Sequence, residues 1–255
     1  MDSFSVLDKN TLESFDLTPS AHPEGYVIVL DKPYEWTSAD AVRKVKFSLT
    51  RRFKLKNLKV GHAGTLDPLA TGILSVCVGK ATKCAESLQQ QPKSYIAEVA
   101  FGATTPSFDK EKEVDALYPY EHITIEKIEE VVKGFIGVQQ QLPPIYSAKY
   151  VDGIRAYEMA RQGEQVELKS STIEIYDMKV ISYSAPVLTI SVECSKGTYI
   201  RAIARDLGVA LGSGGYLTAL QRSSSGSFRI ENALSMEDFS QKLRTFQNPT
   251  ETFSE

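Results

Sequence analysis

The chain has 255 residues, of which 42% are hydrophobic, and it carries a formal net charge of −3 at neutral pH. This length and composition suffice for a substantial core, and no apolar run is long enough to cross a bilayer. The segment Met1 to Thr11 also lacks the basic start and apolar centre of a secretion signal, so we expect a cytoplasmic protein that does not bind membranes.

The first part of the chain predicts a strand, a helix and a second strand after a loosely held arm. Residues Met1 to Glu24 are polar without sustained periodicity, and we treat them as this flexible arm. The run Tyr26 to Pro33 predicts a buried strand, after which Thr37 or Ser38 can cap a helix. A turn-rich loop follows, and Ile73 to Gly79 predicts the next buried strand.

The second part of the chain predicts three more strands and three more helices. Strands are expected within Ser94 to Phe101, Thr172 to Tyr183 and Val187 to Ser195. Apolar residues at helical intervals predict a helix within Ile123 to Phe135. A short helix is expected from Arg155 to Gly163, and a third one ends at Gly212. Because strands and helices do not alternate regularly, the order favours an α+β fold with a mixed, largely antiparallel sheet flanked by helices.

A basic segment covers much of the first predicted helix and the chain that follows it. Eight lysine and arginine residues, and no acidic residue, occur from Arg43 to Lys59. This concentration is a candidate phosphate-binding surface, although the negative net charge taken alone argues against a nucleic-acid partner. A solvated helix face and loop explain the same composition, and charge alone favours that interpretation.

The cysteines and histidines do not form a disulfide or metal-binding pattern. The cysteines are odd in number and have no close pairs, and no histidine stands at metal-ligand spacing. We therefore expect reduced thiols and no metal ion. The residues concerned are Cys77, Cys84, Cys194, His22, His62 and His122.

The loop GHAGTLDPLATG, from Gly61 to Gly72, contains the densest set of candidate functional residues. Its glycines permit backbone conformations that other residues avoid, and Pro68 keeps Asp67 out of the helical region. Such a loop can hold one carboxylate toward a cleft. The alternative is that Asp67 only caps a turn before Pro68, and the local pattern alone favours that structural role.

A second polar cluster, CSKGTYIRAIARDLG, contains Tyr199 and Arg201 between a strand and a helix start. A guanidinium can bind a carboxylate bidentately and keep it ionised, so Arg201 is a candidate partner for Asp67. A helix-surface arginine with a tyrosine packed below it explains the same residues. Tyr95 is a third candidate, and by itself it reads as an ordinary strand aromatic.

The segment Gly61 to Lys83, GHAGTLDPLATGILSVCVGKATK, closely resembles the central motif of the TruB family of pseudouridine synthases. Other segments between Tyr26 and Ile230 are similar to the family in the same order along the chain. They are VLDKPYEWTS, KSYIAEVAFG, QLPPIYSAKYVDGIRAYEMARQG, CSKGTYIRAIARDLG and LTALQR. The resemblance implies the pseudouridine synthase catalytic fold and the conversion of a T-loop uridine of transfer RNA to pseudouridine.

The resemblance implies a catalytic role for Asp67, which matches the aspartate that starts cleavage of the bond between ribose and base. His62 matches a histidine that enters the RNA loop, and Tyr95 matches an aromatic lying against the flipped base. The reaction rearranges atoms without redox change or an added group, so no cofactor is expected. A carboxylate can attack the sugar or the base, or remove a ribose proton, and the sequence leaves these routes open.

The resemblance also implies substrate-binding roles near the end of the matched region. Tyr199 matches the pocket tyrosine, Arg201 the arginine paired with the aspartate, and Leu220 an apolar residue packing against the uracil. Lys32 and Pro33 match a motif beside the site whose implied role is structural.

Some segments depart from the family pattern. Lys80 stands where a glutamate is usual, and Thr104 to Lys112 lacks the usual Thr-Asp-Thr, so no acidic role is carried over from that segment. Many relatives end with a PUA RNA-binding domain, whereas only 25 residues follow Ile230. We expect an arm at 1–24, a catalytic domain at 25–230 and a short C-terminal segment at 231–255 without a full PUA domain.

The expected partner is the T-arm of transfer RNA, bound by a monomer without an obligatory protein partner. A chaperone that binds and refolds transfer RNA without chemistry is the alternative from another functional class. A pseudouridine synthase that depends on a guide RNA is a further alternative. The chaperone predicts that replacing Asp67 leaves every activity intact, whereas the enzyme predicts that isomerisation is lost. The guide-dependent enzyme predicts activity only when a guide RNA is added.

Overall fold

The computed structural model describes residues 4–146, 150–151, 154–155 and 168–246 of the chain. Its strands are β1 (Ser5–Leu7), β2 (Tyr26–Lys32), β3 (Val60–His62), β4 (Ala70–Val78), β5 (Lys93–Phe101), β6 (Ala103–Thr104), β7 (Ala116–Leu117), β8 (Gly137–Gln141), β9 (Tyr150–Val151), β10 (Ile154–Arg155), β11 (Ser171–Ser184), β12 (Val187–Cys194), β13 (Gly215–Ser225) and β14 (Phe228–Arg229). Its helices are α1 (Ser38–Arg52), α2 (Ala85–Gln90), α3 (Ile125–Lys133), α4 (Ile200–Ala210) and α5 (Met236–Thr245). None of the described helices is long and apolar enough to span a membrane.

The chain divides into two compact units. The first unit comprises Met1–Gln91 and Gln221–Glu255, and the second comprises Pro92–Leu220. Strand β13 begins in the second unit and ends in the first.

The first unit is built on two apolar strands, β2 and β4. They pair antiparallel from Tyr26 opposite Val78 to Lys32 opposite Gly72, and β3 pairs antiparallel with β4. Both strands are buried along almost their whole length, as continuous apolar runs predict. The predicted strands and the loop between β3 and β4 are therefore confirmed.

Helix α1 begins where the sequence predicts, because Thr37 and Asp40 form a capping box. The Thr37 side chain accepts a hydrogen bond from the Asp40 N–H, and the Asp40 carboxylate accepts one from the Thr37 N–H. Ala41, Val45 and Leu49 recur at every fourth residue and are fully buried. This apolar stripe attaches the helix to the core of the first unit.

The predicted N-terminal arm is attached to the first unit over its described residues. Strand β1 pairs in parallel with β2, and Leu7 and Leu17 are fully buried. Helix α5, which has no counterpart among the predicted elements, packs into the same core through Phe239. The packing of the arm differs from the expectation of a loosely held segment because its few apolar residues follow no helical or strand period.

The second unit contains an antiparallel sheet in the order β5-β12-β11-β8. Helices α3 and α4 cover it, with Ile128, Val132, Ile203 and Leu207 buried in the shared core. The parallel β1–β2 pair and the many antiparallel pairs confirm the predicted α+β class with a mixed, largely antiparallel sheet. Strand β13 lacks a distinct local signal, and the sequence pattern does not predict it. Of the short helix predicted from Arg155 to Gly163, residues 156–163 lie outside the described part of the chain.

Gly72 in β4 and Gly197 before α4 allow a matched test of close backbone packing. Both have positive φ, +99° and +81°, but a Cβ on Gly72 would lie 2.3 Å from the carbonyl oxygen of Arg222, whereas none of the described atoms lies near a Cβ on Gly197. We expect Gly72→Ala to lower the free energy of unfolding by roughly 2 kcal/mol more than Gly197→Ala does. Urea unfolding measures the difference, and equal losses would contradict this packing.

Candidate active site

Asp67 lies half-buried in the loop between β3 and β4. Its carbonyl oxygen accepts a hydrogen bond from the Ala70 N–H at 3.1 Å, which closes a turn. The preceding residue, Leu66, donates its N–H to the Ser38 hydroxyl at 2.8 Å and accepts from that hydroxyl at 3.2 Å. The chain beside Asp67 is thereby fixed to the first residue of α1.

Lys32 holds the other side of the loop from a fully buried position. Its ammonium donates to the carbonyl oxygens of Pro33 at 2.8 Å, of Trp36, and of Pro68 at 3.2 Å. Burial lowers the pKa of Lys32 to about 8, while the negative charge of Asp67 opposes this decrease. At neutral pH Lys32 therefore remains mainly protonated, and its charge lies within the electrostatic range of Asp67.

Arg222, at the end of β13, is a second buried cation attached to the same loop. Its Nε donates to the carbonyl oxygen of Ile73 at 2.7 Å, and its Nη2 donates to that of Gly64 at 3.2 Å. Its Nη1 lies 3.5 Å from the Thr65 carbonyl oxygen. These acceptors precede and follow Asp67 in the chain, so one guanidinium fixes both ends of the loop. Sequence reasoning did not assign Arg222 a role.

His62, the last residue of β3, precedes the loop and is half-buried. Burial lowers its pKa, and the positive charge of Arg222 lowers it further. The imidazole is therefore mainly neutral at neutral pH. A neutral aromatic ring can stack on a base without the cost of removing a charge from water.

In the second unit, Tyr199 occupies the N-cap position of α4. Its backbone N–H donates to the Gln141 side-chain oxygen at 2.8 Å, and its carbonyl oxygen accepts from the Gln141 side-chain nitrogen at 3.1 Å. Gln141 is buried, so this reciprocal pair fixes the start of the helix. The Tyr199 side chain is half-buried.

Arg201, in the first turn of α4, is only 4% exposed, which excludes the alternative of a helix-surface arginine. Its Nη1 and Nη2 donate to the carbonyl oxygens of Ser107 at 3.3 Å and Tyr146 at 3.0 Å. Its Nε lies 3.7 Å from a carboxylate oxygen of Asp109, which is itself buried. The structure thus brings Arg201 together with an acid from a segment to which the sequence assigned no acidic role.

Tyr95 and Leu220 belong to the same hydrophobic cluster of the second unit. Tyr95 lies on β5 opposite Val192 of β12, and Leu220 lies on β13. Both side chains are partly buried against this core and partly accessible. Two strands therefore present an aromatic and an apolar side chain that are each partly accessible.

The predicted site residues fall into two groups. Asp67 and His62 belong to the first unit, and Tyr95, Tyr199, Arg201 and Leu220 belong to the second. The first group presents a carboxylate on a loop held by Lys32 and Arg222. The second group contains two tyrosines, a leucine and a buried arginine. The carboxylate of the first group suits proton transfer or nucleophilic attack.

The buried thiols of Cys77 and Cys194 do not contribute a reactive group. Burial raises the pKa of Cys77 to about 12 and that of Cys194 to about 11, so both stay protonated at neutral pH. Within the described ranges, no group of three His, Cys, Asp or Glu side chains has the arrangement of a metal site.

Two family models match the chain. One, described as the N-terminal domain of TruB family pseudouridylate synthase, matches residues 51–200. The other, described as the C-terminal domain of tRNA pseudouridylate synthase B, matches residues 201–253.

Two relatives with similar sequences bear the same name. The tRNA pseudouridine synthase B of Parabacteroides distasonis is 54% identical over 84% of this chain and 91% of its own length. That of Flavobacterium johnsoniae is 45% identical over 89% of this chain and 100% of its own length.

Solved structures with a similar fold include Cbf5 proteins. A chain of a Cbf5-Nop10-Gar1 complex has a TM-score of 0.65 and 28% identity over 86% of this chain. A chain of an H/ACA RNP bound to a substrate RNA containing 2'-deoxyuridine has a TM-score of 0.62 and 26% identity, also over 86%. This chain spans about half the length of those two chains, 54% and 53%.

The lowered pKa of Lys32 predicts a specific dependence of stability on pH. The pKa is 10.5 without the effects of folding and about 8 in the folded state, so the unfolded chain binds this proton more tightly. The resulting cost to stability is about 3 kcal/mol below pH 8 and disappears as the pH rises toward 10.5. Relative to Lys32→Met, the wild-type protein should gain roughly 2–3 kcal/mol between neutral pH and about pH 10.

Urea unfolding of both proteins across this pH range measures the gain. Lys80→Met, at an exposed ion pair with Glu24, controls for loss of a lysine. A constant difference between wild type and Lys32→Met at all pH values would show that the buried ammonium is not desolvated.

Proposed function

The chain belongs to the TruB family of pseudouridylate synthases, and from this we propose that it isomerises uridine in transfer RNA to pseudouridine. The observation that carries the proposal is the Asp67 loop, whose backbone is held by Lys32, Arg222 and Ser38 on either side of the matched catalytic residue. Such fixation reduces the loss of conformational freedom on reaching the transition state.

The proposed reaction balances without a further reactant. The bond between C1' of ribose and N1 of uracil breaks, the retained uracil rotates, and a bond forms between C1' and C5. The proton of C5 leaves to solvent and N1 gains one, so the product is an isomer of the substrate. Asp67 serves as the nucleophile or the base that starts this sequence.

The target uridine has to leave its stack before the carboxylate can reach it, at a cost of a few kcal/mol. Stacking on aromatic side chains, worth roughly 1–3 kcal/mol per base, offsets much of that cost. We assign this role to Tyr95 and Tyr199, with Leu220 against the uracil and His62 in the RNA loop. The pairing of Arg201 with the catalytic carboxylate stays a prediction from the sequence.

The finer features of the function are proposals that rest on the resemblance to the family. They are a target in the T-loop of transfer RNA, action as a monomer without an obligatory protein partner, and a cytoplasmic location. The basic segment Arg43 to Lys59 is proposed to contact RNA phosphates.

Replacement of Asp67 by asparagine tests the catalytic role. The amide keeps the size of the side chain but is a poor nucleophile and base, so kcat should fall by roughly 10³-fold or more. Release of tritium from C5-labelled uridine in a transfer RNA transcript, without any guide RNA, measures the reaction. Transfer RNA affinity should stay within about threefold of wild type.

Asp177→Asn, at an exposed ion pair with Lys179, is the matched control and should keep full activity. If wild-type protein releases no tritium from any transfer RNA, the enzymatic function is rejected. If Asp67→Asn is as active as wild type, Asp67 is not the catalytic group.

Arg222→Lys tests whether the guanidinium positions the loop. A lysine keeps the charge but cannot reach the carbonyl oxygens of Ile73 and Gly64 together, so we expect kcat to fall by roughly 10–100-fold with little change in transfer RNA affinity. Arg229→Lys, an exposed arginine that also donates to backbone carbonyl oxygens, is the control. Equal kcat for the two variants in the tritium assay would reject the positioning role.

A further inference from the structure

The outer face of α1 combines positive charge with an exposed aromatic side chain. Opposite the buried stripe of the helix, Arg43, Phe47 and Arg51 recur at every fourth residue and therefore lie one above another. Both arginines are exposed, and Phe47 is 60% exposed. Phenylalanine at the centre of an exposed helix face leaves a large apolar surface in water.

The cations of this face are available to a ligand to different degrees. Arg43 forms an ion pair with Asp40, and Arg52 donates to the carbonyl oxygen of Phe246 at 2.7 Å. Lys44, Lys46 and Arg51 are exposed, and in the described part of the chain none of these three forms an ion pair with a carboxylate. From here on, the outer face of α1 means Lys44, Lys46, Phe47 and Arg51, and it leaves out Arg43 because Asp40 already pairs with that residue.

The outer face leads away from the catalytic loop. The first residue of α1, Ser38, is hydrogen-bonded to Leu66, which adjoins Asp67. At about 1.5 Å per residue, Phe47 lies roughly 14 Å and Arg51 roughly 20 Å along the helix axis from Ser38. A ligand that reaches Asp67 and follows α1 is therefore extended over a length that fits several nucleotides.

The chemistry of the face fits an RNA backbone. A protein with a net charge of −3 does not attract a polyanion as a whole, so a local concentration of cations is required. Lysine and arginine can neutralise phosphates, and the Phe47 ring can pack against a ribose or a base edge. A membrane is a poor fit, because the apolar stripe of α1 is already buried in the protein core.

We propose that the outer face of α1 is the docking surface for the RNA stem that carries the target loop. The inference rests on the proposed function for its choice of ligand. Contacts to phosphates of a stem are independent of base sequence, and they supply affinity rather than chemistry. Substitutions on this face therefore weaken RNA binding and leave the reaction of bound RNA unchanged.

The test compares two double variants with the same loss of charge. Lys44→Gln/Arg51→Gln removes two cations from the outer face, and Lys179→Gln/Arg244→Gln removes two exposed cations that form ion pairs elsewhere. For a transfer RNA transcript, we expect the first variant to bind about tenfold more weakly at low salt and to lose about two from the slope of log K against log salt. The second variant should resemble wild type.

Phe47→Ala isolates the aromatic contribution. Its affinity for transfer RNA should fall roughly 3–10-fold, whereas Val209→Ala, at an exposed apolar residue of α4, should have no effect.

A hairpin with the same loop but a stem shortened to its closing pairs locates the contact. Wild type and the outer-face variants should bind this hairpin equally well. With saturating transfer RNA, the outer-face variants should have the same kcat as wild type.

The charge-retaining variant Lys44→Arg/Arg51→Lys should restore the affinity for transfer RNA. Outer-face variants that bind transfer RNA as tightly as their controls would overturn the proposal, as would an equal loss on the shortened hairpin. Loss of RNA binding in these variants together with an absence of tritium release by wild type would retain the docking surface and reject the enzymatic function.

Discussion

The candidate site depends on two buried cations that bind backbone carbonyl oxygens of one loop. Lys32 holds the carbonyl of Pro68, directly after Asp67, and Arg222 holds the carbonyls of Gly64 and Ile73 on either side of it. Backbone acceptors fix the shape of the main chain on both sides of Asp67, and with it the point from which the carboxylate projects. Without these contacts, a loop rich in glycine would sample many conformations.

The use of carbonyl acceptors also determines the electrostatics of the loop. A carboxylate partner would neutralise each cation, whereas a carbonyl dipole satisfies the N–H donors and leaves the positive charge in place. The lowered pKa of Lys32, about 8, reflects the cost of burying such a charge. Arg222 places a second buried positive charge beside the loop.

The second unit arranges its polar groups differently. Arg201 faces a buried carboxylate, Asp109, as well as two backbone carbonyls, and α4 is held at Tyr199 by Gln141. Aromatic and apolar side chains of the unit lie on regular strands that rest on its core. We propose that these strands recognise the base and that the outer face of α1 binds the RNA stem, so that affinity and chemistry rest on different residues.

Local periodicity was enough to predict β2, α1, β4, β5, α3, β11 and β12. The Asp67 motif could also be recognised from the amino-acid sequence, through its resemblance to the family. The sequence did not predict β13, α5 or the packing of Leu7 and Leu17, because their signals are short and aperiodic. Only the tertiary structure associated Arg222 with Gly64 and Arg201 with Asp109. A local pattern specifies which face of a segment is apolar, but a buried charge acquires its partner through contacts between residues far apart in the chain.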